Sequence, residues 1–299
     1  MNTERLPTTI PEYLDLLRKS LAGADPALVQ DALYDAEEYL RSELAENPQR
    51  SEAEVIASVA SSYGAPDEVA DIYRDTEIRV QTALRPPPPP PRTSLAGRLF
   101  GVFTDPRAYT ALFYMLLSLV SGIFYFTWVV TGFSLSLGLV IIIVGIPLLI
   151  LFFGSVRVLS LVEGRLVEAM LGERMPRRPT YTARDRGLWQ RIGEMFTDPR
   201  TWSTLLYLVL MLPLGVAYFS IAVGLLSLAL SLILSPFALL PGVHLSVWMF
   251  GVDIPDEMPW MLPLLAGVGV LLLALTLHLA RGIGRIHAGV AKHLLVKTA

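Results

Sequence analysis

Three stretches of this chain contain no Asp, Glu, Lys or Arg: residues 108–156, 201–252 and 258–280. Such runs offer no charged face to water, and about 20 apolar residues in a helix suffice to cross the hydrocarbon core of a bilayer. A mean hydropathy of +0.51 and a charged fraction of 17% agree with a membrane protein. The runs predict four spans, near 109–130, 133–156, 203–223 and 260–281, with a tight turn at Thr131-Gly132. Residues 225–241 read as a re-entrant or interfacial helix broken by Pro236, the alternative being a fifth crossing.

A repeat organises these spans. "FTDPRAYTALFY" begins at Phe103 and "FTDPRTWSTLLY" at Phe196; at an offset of 93, residues 103–138 align with 196–231 and 16 of 36 positions are identical. The identities include Tyr114/Tyr207, Gly122/Gly215 and Tyr125/Tyr218. Further on, "RVLSLVEGRLVEAMLG" from Arg157 resembles "RGIGRIHAGVAKHLLV" from Arg281 at an offset of 124, so the second copy carries about 31 extra residues. Each unit reads as a helical hairpin followed by a basic amphipathic exit helix. The repeated phrase reads as an entry device for a membrane helix. Asp105 and Asp198 serve as N-caps, Pro106 and Pro199 occupy the first turn, and Arg107 and Arg200 reach lipid phosphate.

Charge suggests an orientation. Every Lys and Arg after residue 85 lies before the first span, between the hairpins or after the last span. The positive-inside rule then predicts a multi-pass protein of the bacterial inner membrane with cytoplasmic N- and C-termini and two parallel repeats. The insertion would form an outer loop, whose candidate stimulus contacts are Trp248, Phe250, Asp253, Asp256, Glu257 and Trp260.

Residues 1–85 differ in kind: 8 Lys/Arg against 17 Asp/Glu give a net charge of −9. The first residues show neither a basic segment nor an apolar one, so no cleavable signal peptide is expected. Leu14, Leu17 and Leu21 fall at helical spacing, as do Leu28, Ala32, Leu33, Ala36, Tyr39, Leu40 and Leu44. Ser51 and Glu54 have capping-box spacing, and Gly64-Ala65-Pro66 breaks the pattern before an acidic restart. A small bundle of about four helices follows. Its acidic face, with Asp31, Asp35, Glu38, Asp67 and Glu68, is a candidate protein-binding surface and repels nucleic acid and anionic lipid. Six prolines, Pro86–Pro91, suit a stiff polyproline spacer. The domains are therefore 1–85 (cytoplasmic bundle), 86–95 (linker) and 96–299 (membrane domain with repeats 96–179 and 189–297). The fold class is all-α, a bundle joined to a polytopic helical membrane domain.

Two resemblances add to this. "YLDLLRKSL", "YDAEEYLRSEL" and "SEAEVIASVASSYGAPDEVA" resemble the HAAS-type signalling domain of bacteria, with Tyr63 where that family more often has Leu. The resemblance implies a cytoplasmic interaction module of membrane proteins that accompany PadR-type transcriptional regulators. "FTDPRTWSTLLYLVLMLPLGVAYF" and the exit helix ending in "AMLG" resemble the sensor domain of bacterial membrane histidine kinases and related orphan proteins, over roughly 96–297. No kinase motif follows.

The chemistry expected is sparse. There is no cysteine, and His244, His278, His287 and His293 lack metal-ligand spacing, so neither metal nor cofactor is expected. His287 and His293 read as interfacial residues of the exit helix. With no nucleophile–base pair in view, an enzyme is not expected. The favoured function is a membrane sensor that relays an envelope or membrane signal to a cytoplasmic regulator. The alternative is a membrane subunit of a transport or export system, against which stands the lack of charged residues in the predicted spans. The lipid bilayer is an expected partner, and homodimerisation is left open.

Overall fold

Local capping chemistry starts the helices where the sequence places it. The computed structural model describes residues 7–84, 94–142, 144–178, 193, 196–240, 248–249 and 251–296. In the bundle, α1 (Ile10–Ser20) follows Thr9, whose hydroxyl accepts from the Glu12 N–H at 3.3 Å. Asp25 caps α2 (Pro26–Glu46) by accepting from the Ala27 N–H at 2.9 Å. Ser51 and Glu54 close a capping box on α3 (Glu52–Ser62), and α4 (Pro66–Leu84) restarts after the Gly64 break. Tyr13, Leu17, Ala32, Ala36, Leu40, Ile56, Val59 and Ala70 form its apolar core. The buried Tyr13 hydroxyl donates to the Gly64 carbonyl at 2.8 Å and so fixes the α3–α4 corner. The six prolines lie outside the described residues.

The rest is also helical. A short α5 (Leu95–Phe100) and a 3-10 turn lead into α6 (Pro106–Gly138), which tightens into a second 3-10 turn ending at Ile142. Then come α7 (Gly145–Leu171), α8 (Pro199–Leu234), a 3-10 turn over Ser235–Leu239, β1 (Trp248–Met249), β2 (Val252–Asp253), α9 (Ile254–Glu257) and α10 (Met261–Leu295). Among the described residues, four helical segments, starting at Pro106, Gly145, Pro199 and Met261, are long and apolar enough to cross a membrane. The all-α, polytopic class is therefore as the sequence implies.

Three details differ. The turn expected at Thr131-Gly132 is helical, because α6 runs on to Gly138. Gly132 instead gives room to Phe152 of α7, with which a Cβ would collide. Residues 225–234 form no separate re-entrant helix: they continue α8, which at 36 residues is about 54 Å long, and the helix tightens into the 3-10 turn before Pro236. The exit helices are likewise continuous with the preceding spans in α7 and α10.

The third difference is direction. Leu112 and Met115 of α6 cluster with Ala222 of α8. Gly122 abuts the Met211 carbonyl and Gly215 the Ser118 carbonyl. Further along, Val129, Phe133 and Ser134 line a cleft with Leu205 and Trp202. Numbers rise on α6 as they fall on α8, so the first helices of the two hairpins are antiparallel and the repeats are inverted. The parallel arrangement expected from charge fails because loop charge is blind to helix faces. Where the two helices touch, Gly122 and Gly215 give the backbones room at equivalent points. Within the hairpins, α7 returns along α6 (Trp128 Nε1 to Ser155 Oγ, 2.8 Å) and α10 along α8 (Ser203 Oγ to the Leu294 carbonyl, 2.8 Å).

Candidate functional site

Two polar assemblies stand out against this apolar frame. The first lies where the bundle meets the membrane domain. Gly172, in the left-handed region at φ +76°, ends α7, and the chain doubles back so that Met175 covers Gly164. This carries residues 173–178 to α2. Asp31, 5% exposed, accepts from the Arg177 N–H at 2.7 Å and the Arg178 N–H at 2.9 Å through one oxygen, and from Arg174 Nη2 at 3.0 Å through the other. Burial pushes its carboxyl up, and the two N–H groups and the Arg174 charge pull it back. Gln30 donates to the Arg178 carbonyl at 2.7 Å and accepts from Arg200 Nη1 at 2.9 Å. Asp35 pairs with Arg178 Nε at 3.0 Å, while the same guanidinium stands 5.8 Å above the Tyr34 ring. Arg174 also faces Glu77 and Glu168, and Lys292 of α10 bridges Asp25 (2.7 Å) and Glu173.

The second assembly is internal. Glu163 of α7 and His287 of α10 are both fully buried. Glu163 accepts hydrogen bonds from Tyr114 (2.6 Å) and Tyr207 (2.9 Å) on Oε1 and from Tyr125 (2.9 Å) on Oε2. His287 Nε2 lies 2.6 Å from the Tyr114 hydroxyl and 2.9 Å from that of Tyr207, and Nδ1 lies 3.3 Å from that of Tyr218. Each tyrosine has one proton. If Tyr114 and Tyr207 give theirs to Glu163, His287 must donate from Nε2 to their oxygens, and Nδ1 is free to accept from Tyr218. The six side chains are three repeat-related pairs: 114/207 and 125/218 at the first offset, 163/287 at the second. Inversion of the repeats brings the pairs to one point, and every described polar atom there has a partner, as burial demands.

The predicted residues fare differently. Asp31 and Asp35 come together at the bundle junction, both engaged within the chain, Asp31 buried and Asp35 half-buried. Glu38, Asp67 and Glu68 are exposed. Asp105 and Asp198 are N-caps, accepting from the Arg107 and Arg200 N–H groups at 3.1 Å each, with Pro106 and Pro199 in the first turns. Because α6 and α8 are antiparallel, the two motifs lie at opposite ends of the pair. Asp105 also binds Arg281 at 2.8 Å, and Arg200 turns to Gln30. Of the loop residues, Trp248 pairs with Asp253 in the β1–β2 hairpin, while Asp256, Glu257 and Trp260 are exposed. Phe250 and His244 lie outside the described residues. His287, expected at an interface, is instead in the core, because residues 281–295 continue α10 into the helix packing. Glu163, which the sequence places only within an exit helix, is likewise in the core.

Sequence reasoning did not single out Gln30, Arg174, Arg177, Arg178, Glu163 or Lys292. The signal for Glu163 and His287 was present: both offsets place polar residues on polar residues within apolar surroundings. For 173–178 there was no signal beyond a basic run.

A protein family described as "Putative sensor" matches residues 114–295, more than half of the chain. The chain belongs to this sensor family. The match opens at Tyr114 and takes in all six residues of the buried cluster, so the cluster lies within the sensor region, whereas the acidic bundle lies outside it. No curated protein and no solved structure matches at a significant level. Sensor-family membership and four membrane-length helices fit a membrane sensor.

Proposed function

We propose that this protein is a non-catalytic membrane sensor whose acidic bundle hands the signal to a cytoplasmic regulator. The observation that carries the reading is the seat of the bundle on the sensor region. Asp25, Gln30, Asp31 and Asp35 are all held by residues of the connecting segment, α8 or α10. A rearrangement of α7, α8 or α10 therefore changes the contacts of α2 directly, which is what relay by a two-state element needs. In this reading the bundle, the 173–178 segment and the end of α10 lie together at one end of the sensor region of a bacterial inner-membrane protein. The hairpin loop around Trp248–Asp253 carries the stimulus contact, and the bilayer is the constant partner. The HAAS-like sequence of the bundle favours a PadR-type transcriptional regulator as the recipient.

The test uses full-length protein captured from its own membranes, with mass spectrometry of what co-elutes. A DNA-binding regulator is expected, and it should be lost when Glu38, Asp67 and Glu68 are reversed to Lys. Capture of no regulator, or of one indifferent to both those charges and Asp31, would sink the relay. A thiol reagent that cannot cross the membrane should label Phe250→Cys in intact cells; labelling only after permeabilisation would reverse the proposed sidedness.

A further inference from the structure

The contact between α2 and residues 173–178 has the make-up of a peptide-recognition site. Its reading face is Gln30, Asp31, Tyr34 and Asp35, four residues on adjoining turns of one helix. One carboxylate oxygen takes two successive backbone N–H groups, the other takes an arginine, and a glutamine amide takes the next carbonyl. A second carboxylate and an aromatic ring share a further arginine. Surface ion pairs seldom involve main chain on one side in this way. Backbone capture fixes the register of a bound segment, and the two arginine positions set its side-chain requirement. The sequence read is Arg174, two spacer residues, then Arg177 and Arg178.

We infer that this α2 face is a receptor for arginine-bearing segments of the form Arg-x-x-Arg-Arg, and that residues 174–178 occupy it in place of such a segment from a partner protein. The inference deepens the relay reading and rests on it for the partner's biological role. Three observations favour a protein segment as the exchangeable occupant. The bundle carries a net −9, so a basic segment is drawn to it over distance. On α2 the occupant's backbone and arginines are held by polar contacts, which compete with water and salt more readily than packed apolar ones do, whereas Met175 and Pro176 between them are buried. The internal fit is also incomplete: among the described residues Arg174 Nε is buried with no hydrogen-bond partner, so an incoming segment whose arginine satisfies the equivalent donor has an advantage. Occupancy within one chain benefits from high effective concentration, so an outside segment enters only once the sensor region has drawn the internal one away.

The probe is a fluorescein-labelled peptide of sequence GERMPRRP, residues 172–179, titrated into the full-length protein in detergent and followed by anisotropy. A variant with Arg174→Ala, Arg177→Ala and Arg178→Ala should bind the peptide about tenfold or more tighter than the unaltered chain, because the internal competitor has lost its arginine contacts and keeps only its backbone ones. Adding Asp31→Asn to that variant should return binding to background. Equal binding by the unaltered chain and the triple variant, or binding indifferent to Asp31, overturns the inference. If the triple variant loses its helical circular dichroism, Arg178→Ala alone must give a smaller gain in the same direction, and no gain is a refutation. The two proposals fail separately. A regulator captured by way of Glu38, Asp67 and Glu68 but unable to compete with the peptide keeps the relay and removes this site. Asp31-dependent peptide binding with no regulator captured keeps the site and removes the relay.

Discussion

Glu163 meets three tyrosine hydroxyls inside a helical core, and its worth is best judged by what removing it leaves behind. Glu163→Leu would strip the acceptor from Tyr114, Tyr125 and Tyr207 at once. An unsatisfied buried polar group costs about 1–3 kcal/mol, so the variant should melt well below the unaltered protein in detergent, while Glu163→Gln, which still accepts, should lose less. Differential scanning fluorimetry reads both, and equal melting temperatures would mean the cluster contributes little. Asp105 poses a pH question. Burial works against its ionisation, but the Arg281 hydrogen bond, the Arg107 N–H and the two nearby positive charges hold its carboxyl below the ordinary 3.8. An acid held down in the folded state stabilises it above the ordinary value and gives up that stability as pH falls through the lowered one. Asp105→Asn should therefore cost under about 1 kcal/mol from pH 5 to 8, and the gap should close below about pH 4. Urea titrations across that range check both the size and the sign.

Helices obey rules that the letters of the sequence display, whereas the pairing of helices obeys rules that emerge only in three dimensions. Ser51 and Glu54 announced the start of α3, and Ser51→Ala should cost about 1 kcal/mol in thermal unfolding of the bundle. Asp105-Pro106 and Asp198-Pro199 announced α6 and α8, and the charge-free runs announced that four long helices lie in apolar surroundings. The ends of those helices were less legible. Nothing in the chain forces a break at Thr131-Gly132 once Gly132 has a packing role against Phe152. Direction was illegible from charge, because Gly122 and Gly215 specify a close contact without specifying which way the partner runs. Gly122→Val should push α6 from the Met211 carbonyl and cost at least about 1–3 kcal/mol, whereas valine at Gly267, where a Cβ meets nothing, should cost far less. Thermal unfolding of the two variants, compared in one detergent, makes that contrast measurable. The junction site was half legible: Asp31 and Asp35 stood out as acidic, but their occupant was hidden in a basic run that periodicity cannot place.

At the scale of the whole molecule, the inverted repeat makes the most exposed claim. The chain has no cysteine, so engineered pairs report without background. Phe133→Cys with Trp202→Cys should cross-link through a short bis-maleimide, since both side chains line one cleft. Tyr109→Cys with Trp202→Cys, equivalent positions that parallel hairpins would hold at one level, should not. The reverse result would restore the parallel arrangement. The pairing of residue 163 with residue 287 bears on how such a molecule came to be. Two separate, identical hairpins meeting by the same twofold would bring two glutamates or two histidines together in a dry core, where like partners repel or leave protons unshared. A glutamate opposite a histidine is closed to identical hairpins and open to a chain that carries two diverged copies. Once that divergence is made, neither half can return to self-association without confronting its own likeness, so the duplication works as a ratchet.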